Sequence, residues 1–105
     1  LNESLPAAQL DIGEETALNL AEIFRALSDP SRVRILSILL EQEQNVNTLA
    51  EAVGISESAV SHHLRGLRQL HIVRARRQGR EVFYSLDDDH VTELLQKGLD
   101  HVRHD

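Results

Sequence analysis

The chain has 105 residues, enough for one domain and few enough that a partner subunit would help bury its core. Hydrophobic residues make up 41% and charged residues 27%, a globular balance, and a net charge of −6 excludes a uniformly basic nucleic-acid coat. The lack of cysteine excludes a disulfide framework, a thiolate metal site and a cysteine nucleophile. No apolar run approaches the roughly 18 residues of a membrane span, so neither a span nor a signal peptide is expected.

Residues 1–13 hold a proline, a glycine and no sustained period, and read as a flexible N-terminal arm; residues 14–105 read as the folded domain. From Glu14, the positions Ala17, Leu20, Ala21, Phe24 and Leu27 follow helical spacing until Ser28-Asp29-Pro30 stops it. Asp29 then caps a second helix and Pro30 suits its first position, where no amide hydrogen is missed. Val33, Ile35, Leu36, Ile38, Leu39 and Leu40 make that helix apolar over most of its circumference, which predicts the central, buried one.

A polar stretch, EQEQN, leads to a short helix around Asn47–Val53, ended by Gly54. Ser56 is placed to cap a fourth helix reaching about Leu70. The runs 71–77 and 80–86 have strand character in Ile72, Val73, Val82, Phe83 and Tyr84, with Gln78-Gly79 as a two-residue turn. A last helix from about Asp88 to Val102 has Val91, Leu94, Leu95, Leu99 and Val102 as its apolar face.

Charge is segregated along this order. Residues 1–22 hold Glu3, Asp11, Glu14, Glu15 and Glu22 and no base, whereas 57–80 hold Arg65, Arg68, Arg74, Arg76, Arg77 and Arg80 against Glu57 alone. Residues 87–105 are acidic again. A basic middle between acidic ends points to an anion-binding surface confined to one part of the fold.

Two helices joined by VGIS and followed by a basic hairpin form the pattern of a winged helix-turn-helix, a mainly helical fold with a small β-hairpin wing. Val60, Leu64 and Leu67 recur at i, i+4 and i+7 and should pack inward. At 100° per residue Ser58, His62, Arg65 and Gln69 cluster on the opposite side, with Ser61 on the flank. Their donors and acceptors suit base edges and phosphates, although such a face can equally be plain solvated surface. The hairpin arginines favour the first reading, since their mutual repulsion has no structural benefit and phosphate relieves it. Glu81 is placed to pair with one of them.

SDPSRVRIL, SESAVSHHLRGLRQL and RRQGREVFYSL resemble the ArsR/SmtB repressors, small bacterial winged-helix homodimers that bind operator DNA and release it on sensing a metal ion. The resemblance covers roughly residues 15–104. It implies a cytoplasmic homodimer held through its N- and C-terminal helices on an inverted-repeat operator. It places Ser56, Ser58, Ser61 and His62 at the groove, with Arg65 beside them, and the wing tip of Arg77, Gln78 and Arg80 on the flanking backbone.

The last helix also carries Asp88-x-His90 and His101-x-x-His104. His90 and His101 share a face, about 20° apart on the wheel, yet lie about 16.5 Å apart along the axis. Metal–nitrogen bonds of roughly 2.0–2.1 Å cannot span that within one helix. In an antiparallel pair of such helices, with a two-fold axis near Gln96, Asp88 and His90 of one subunit meet His101 and His104 of the other. Each of the two sites per dimer then offers three imidazoles and one carboxylate, suited to Zn(II) or Co(II). Gly98 would allow close approach of the partner. Taken alone, HVRHD and DDDH read equally as a solvated helix end and a helix start. An i, i+2 pair faces apart on an ideal helix, so Asp88 must sit at or before the first turn.

The resemblance supports this set, because zinc and cobalt sensors of the family use an Asp-x-His…His-x-x-(His/Glu) pattern on the C-terminal helix. It also implies that the backbone carbonyl of His71 accepts a hydrogen bond from the second nitrogen of His101. Relatives that sense through the third helix carry cysteines where this chain has Asn45 and Asn47. Ni(II) fits less well, since residues 1–13 supply neither His nor Cys. His63, near the inward edge of the fourth helix, reads as a packing residue.

The expected function is therefore a Zn(II)-responsive repressor that leaves its operator on binding metal. The alternative is a regulator of the same family answering to Co or Ni or to a non-metal signal. No catalytic residue, small organic substrate or membrane partner is expected: four protein ligands leave no open position for a catalytic water.

Overall fold

A computed structural model describes residues 4–104; residues 1–3 of the expected arm, and Asp105, lie outside the described residues. The elements are α1 (Glu14–Ala26), α2 (Pro30–Glu41), β1 (Gln44–Asn45), α3 (Val46–Val53), α4 (Glu57–Gln69), β2 (Val73–Gln78), β3 (Glu81–Leu86) and α5 (Asp89–Arg103). A single 3-10 turn, Ala7–Gln9, precedes them, and Gly13 at φ 93° opens α1.

Each boundary has a local cause. Asp29 accepts the Arg32 amide at 3.4 Å and Pro30 starts α2. Asn45 accepts the Thr48 amide at 2.8 Å to start α3, and left-handed Gly54 ends it. Ser56 accepts the Ala59 amide at 3.0 Å to start α4. Five capping or breaking residues therefore set the three-helix frame.

The end of α4 is unusual. The Ile72 amide donates to the Leu67 carbonyl (2.9 Å) and the His71 amide to the Arg68 carbonyl (3.0 Å), a Schellman closure. Its left-handed residue is His71, at φ 58°, where glycine is the common choice.

The sheet has the order β1-β3-β2, antiparallel throughout. Gln78 pairs with Glu81, so the two turn residues are Gly79 and Arg80, one position later than the sequence suggested. Gly79 has φ 65° and Arg80 does not share a positive φ, the pattern of a glycine-first II′ turn that suits strand twist. Strand β2 also begins at Val73, because 71 and 72 are used to close α4. Strand β1, drawn from the polar EQEQN stretch, pairs Gln44 with Tyr84 and Asn45 with Phe83.

The core sits between α2, α3, α4 and the start of β2. Ile35, Leu36, Leu49, Val60, Leu64, Leu67, Ile72 and Val73 are essentially inaccessible. Helix α2 is central as expected, though not all round, since Val33 stays exposed. Among the described residues, α5 has no buried residue and α1 only Ala26. No helix among them is long and apolar enough to cross a membrane.

Candidate nucleic-acid interface and metal ligands

Helix α4 turns Val60, Leu64 and Leu67 into the core, which forces the opposite side outward. Ser58, His62, Arg65 and Gln69 are all exposed there, Ser61 is half-buried on the flank, and Ser56 is exposed at the cap. The helix is braced from behind. Arg32 Nε donates to His63 Nδ1 at 3.1 Å, and His63 Nε2 lies 3.6 Å from Asp29 Oδ2. His63 is therefore a hydrogen-bonded tie between α4 and the start of α2, rather than a simple packing residue. Arg34 donates to the Val53 carbonyl at 3.2 Å, and Asn47 to Glu57 Oε2 at 3.0 Å, fixing α3 against its neighbours.

The wing arginines divide into two groups. Arg76 forms a two-pronged ion pair with Glu43, with Nε at 3.3 Å from Oε2, and it lies 5.2 Å over the Phe83 ring. Its Nη1 also donates to Gln78 Oε1 at 2.7 Å. This pairing holds the Glu43 carboxyl below the usual carboxylate range, chiefly through the hydrogen bond, and raises Arg76. Arg74 reaches Ser85 Oγ at 3.4 Å. Glu81 takes Asn45 Nδ2 at 2.8 Å instead of a hairpin arginine, as its place beside β1 allows. Arg65, Arg68, Arg77 and Arg80 make no ion pair among the described residues. Arg77 and Arg80 are exposed with Gln78 at the hairpin end.

The metal candidates lie on α5. Asp88 is its N-cap, with Oδ1 accepting the Val91 amide at 3.0 Å, so it stands just before the first turn. That hydrogen bond is the main reason its carboxyl sits below the ordinary carboxylate value. The other oxygen, Oδ2, lies 3.7 Å from His90 Nδ1. Two donors on one tetrahedral ion with bonds of about 2.1 Å stand about 3.4 Å apart, so this pair is already spaced for shared coordination. His90 is 94% exposed. His101 lies in the last turn and His104 is the C-cap residue, with extended backbone; both are exposed at the far end. Among the described residues of one chain, no three metal-ligating side chains gather at a point. His71 lines a cavity of about 320 Å³ with Asp87, Asp88 and His90, under the start of α5.

An apolar groove of about 370 Å³ runs between α2 and α5, lined by Val33, Leu40, Leu94, Leu99 and Val102 among others. Gly98 lies in its wall, and a Cβ there would meet nothing within 4 Å. Phe24 is 51% exposed on α1, and Val102 79% on α5.

The profile of bacterial regulatory proteins of the arsR family matches residues 29–75. A transcriptional repressor SmtB homolog of Synechocystis is 51% identical over 89 residues, covering 85% of this chain and 67% of that protein. A cadmium resistance transcriptional regulatory protein CadC homolog of Staphylococcus aureus is 41% identical over 97 residues, 91% of this chain and 80% of that one. The solution structure of apo-NmtR superimposes with a TM-score of 0.77 at 40% identity, covering 99% of this chain and 86% of that chain. NmtR is a regulator of Mycobacterium tuberculosis. A homodimeric winged helix-turn-helix DNA-binding domain from Mycobacterium bovis gives a TM-score of 0.76 at 27% identity, covering 90% and 96%.

Proposed function

The chain belongs to the arsR family of bacterial regulatory proteins, DNA-binding regulators rather than enzymes, and on that premise we propose that it is a Zn(II)-responsive repressor. In this reading a homodimer binds an inverted-repeat operator through Ser56, Ser58, Ser61, His62 and Arg65 in the groove. Arg77, Gln78 and Arg80 lie on the flanking backbone. The exposed apolar residues of α1 and α5 pack between the two copies.

The observation that carries the metal reading is the Asp88–His90 pair, 3.7 Å apart, in which a helix cap engages Asp88 Oδ1 and leaves Oδ2 toward His90 Nδ1. It is half of a four-donor set. The matching half, His101 and His104, stands at the other end of the same helix, with His101 about 16.5 Å away from His90 by helix rise. Antiparallel pairing of α5 across a two-fold axis would bring the halves together twice, and Gly98 leaves room for that approach. Three imidazoles and a carboxylate suit Zn(II), and Co(II) as well; Ni(II) finds neither His nor Cys in residues 1–13 to extend the set. The cadmium-resistance name of a 41% identical relative supports a metal effector without choosing the ion. When bound, the ion would tie the two α5 helices, and His101 would relay that constraint to the His71 carbonyl at the end of α4.

The test uses chelator-stripped protein and a duplex selected from a randomised pool. Zn(II) should weaken duplex binding by about 5- to 150-fold, the range of ordinary allosteric coupling. Two double variants, D88A/H90A and H101A/H104A, should each bind the duplex and ignore zinc. Mixing and re-equilibrating them should restore one tight zinc site per heterodimer, because one of its two sites then has all four ligands. No recovery on mixing would refute the inter-subunit site. Full zinc occupancy with unchanged duplex affinity would refute zinc control.

A further inference from the structure

The groove-facing side of α4 continues into a flank that shares Ser61 and Arg65 with it and adds Arg68. Ser61, Arg65 and Arg68 recur at i, i+4 and i+7, so they line one side of the helix, facing β3. Together with Leu64 and Tyr84 they enclose an open cleft of about 270 Å³ between the recognition helix and the wing. Tyr84 is the middle of β3, paired with Gln44 on one side and the small Ala75 on the other.

The polar groups of this cleft are two guanidinium groups and two hydroxyls, with no carboxylate among its lining residues. The carboxylates of α4, the wing and the segment before β1 are engaged elsewhere: Glu57 with Asn47, Glu81 with Asn45, Glu43 with Arg76. Among the described residues neither Arg65 nor Arg68 has an ion pair or a side-chain hydrogen bond. Two unneutralised cations one helical turn apart repel each other, and a tetrahedral oxyanion between them relieves this while accepting from both hydroxyls.

We infer that this cleft is a seat for one backbone phosphodiester of the bound duplex, with Arg68 and Tyr84 as DNA-contacting residues in addition to the groove face and wing tip. The inference rests on the DNA-binding reading above. A phosphate held here sits between the helix that enters the groove and the sheet that carries the wing. It therefore fixes the depth and register of α4, and it carries no sequence information. Inorganic phosphate offers the same oxyanion and would enter the same seat weakly.

Two arms test it. In the first, duplex affinity is measured against salt for the parent protein, R68Q, R68K and Y84F. R68Q should lose about tenfold in affinity, equally on the selected duplex and on an unrelated one, with the slope of log K against log salt shallower by about 0.9. R68K should recover the slope and only part of the affinity, since it keeps the charge and loses the fork. Y84F should lose about 2- to 10-fold with the slope unchanged. Unchanged affinity and slope in R68Q, or a loss confined to the selected duplex, would overturn the inference.

In the second arm inorganic phosphate is titrated and followed by NMR at the Arg68 Nε–H and the Tyr84 ring. Saturable shifts at both reporters in the parent protein, with the Tyr84 ring shift lost in R68Q, support the seat; absence of shifts in the parent, or a Tyr84 shift unchanged in R68Q, overturns it. This arm needs no duplex, so a protein that bound phosphate here but failed on every duplex would sink the DNA-binding reading separately from the site.

Discussion

The helix-turn-helix with its wing and the α1/α5 pair are built to different standards of completeness. In the first, α4 buries Val60, Leu64 and Leu67, the starts of α2, α3 and α4 are capped, and polar ties link α2 to α4 (Arg32–His63), α3 to α4 (Asn47–Glu57), β1 to β3 (Asn45–Glu81) and the segment before β1 to β2 (Glu43–Arg76). In the second, α5 has no fully buried residue among the described ones, with Val91 and Leu95 only partly buried against the core, its groove is open, and its metal candidates stand in two half-sets at opposite ends. One region satisfies its own physical demands within a chain. The other has exposed apolar area and candidate ligand pairs that make sense against a second copy. A reading surface must be rigid to hold register, while a switch must be able to exist in more than one arrangement. The division of labour follows.

The largest effect should come from attacking this contrast at its two cores. Leu64 is 1% exposed, and L64A should cost about 2–5 kcal/mol through lost transfer energy and the cavity left behind. Leu94 is 40% exposed in the single chain, and L94A should act by weakening dimerisation. In denaturation followed at several protein concentrations, the L64A deficit should stay constant. The L94A deficit should shrink when concentration rises, by mass action. A concentration-independent loss of several kcal/mol in L94A would erase the contrast.

How much of this was legible in the sequence differs between the same two regions. Caps and periods are local, so Asp29, Gly54, Ser56 and Asp88 and the inward row of α4 could be read directly, and the structure has them in those roles. Strand β1 could not be read, because two polar residues become a strand only by pairing with Tyr84 and Phe83. The turn slipped by one because Gln-Gly and Gly-Arg both offer glycine a positive φ, and cross-strand register decides between them. Six arginines look alike in a list. Which are held by the protein depends on where Glu43, 33 residues before Arg76, lands. The i, i+4, i+7 spacing of Ser61, Arg65 and Arg68 is visible in the sequence, but that Tyr84 closes a cleft beside them depends on where β3 lands. Helix rise alone separates the candidate pairs Asp88/His90 and His101/His104, and the structure keeps them at opposite ends of α5; whether they meet depends on a second chain.

A smaller effect probes the joint between the two regions. His71 occupies a left-handed position at which a Cβ is a liability of about 1 kcal/mol. H71G should therefore stabilise the protein by up to about that amount, less the entropy glycine adds to the unfolded chain. The backbone carbonyl, the atom expected to receive the His101 hydrogen bond, survives the change. Zinc should still weaken duplex binding in H71G if the relay runs through that atom. Loss of the zinc response with metal binding intact would mean that the imidazole, not the carbonyl, joins the two regions.

The smallest effect lies at the attachment of the wing and shows itself through pH. Glu43 and Arg76 tie β2 to the segment before β1, and the hydrogen bond from Arg76 depresses the Glu43 carboxyl below its ordinary value of 4.5. A carboxyl whose folded value lies below its unfolded one binds fewer protons when folded. Its contribution is fully present above the unfolded value and fades as pH falls from about there through the lower folded value. Both side chains are well exposed, so solvent screening keeps the contribution small, and added salt should reduce it. E43Q keeps a hydrogen-bonding side chain and removes the titration. Thermal unfolding of parent and E43Q should differ in the parent's favour at neutral pH and low salt, and converge as pH falls well below 4.5. A gap that persisted unchanged in acid would show that Glu43 acts through shape alone, and that the wing is held by its strand pairing rather than by charge.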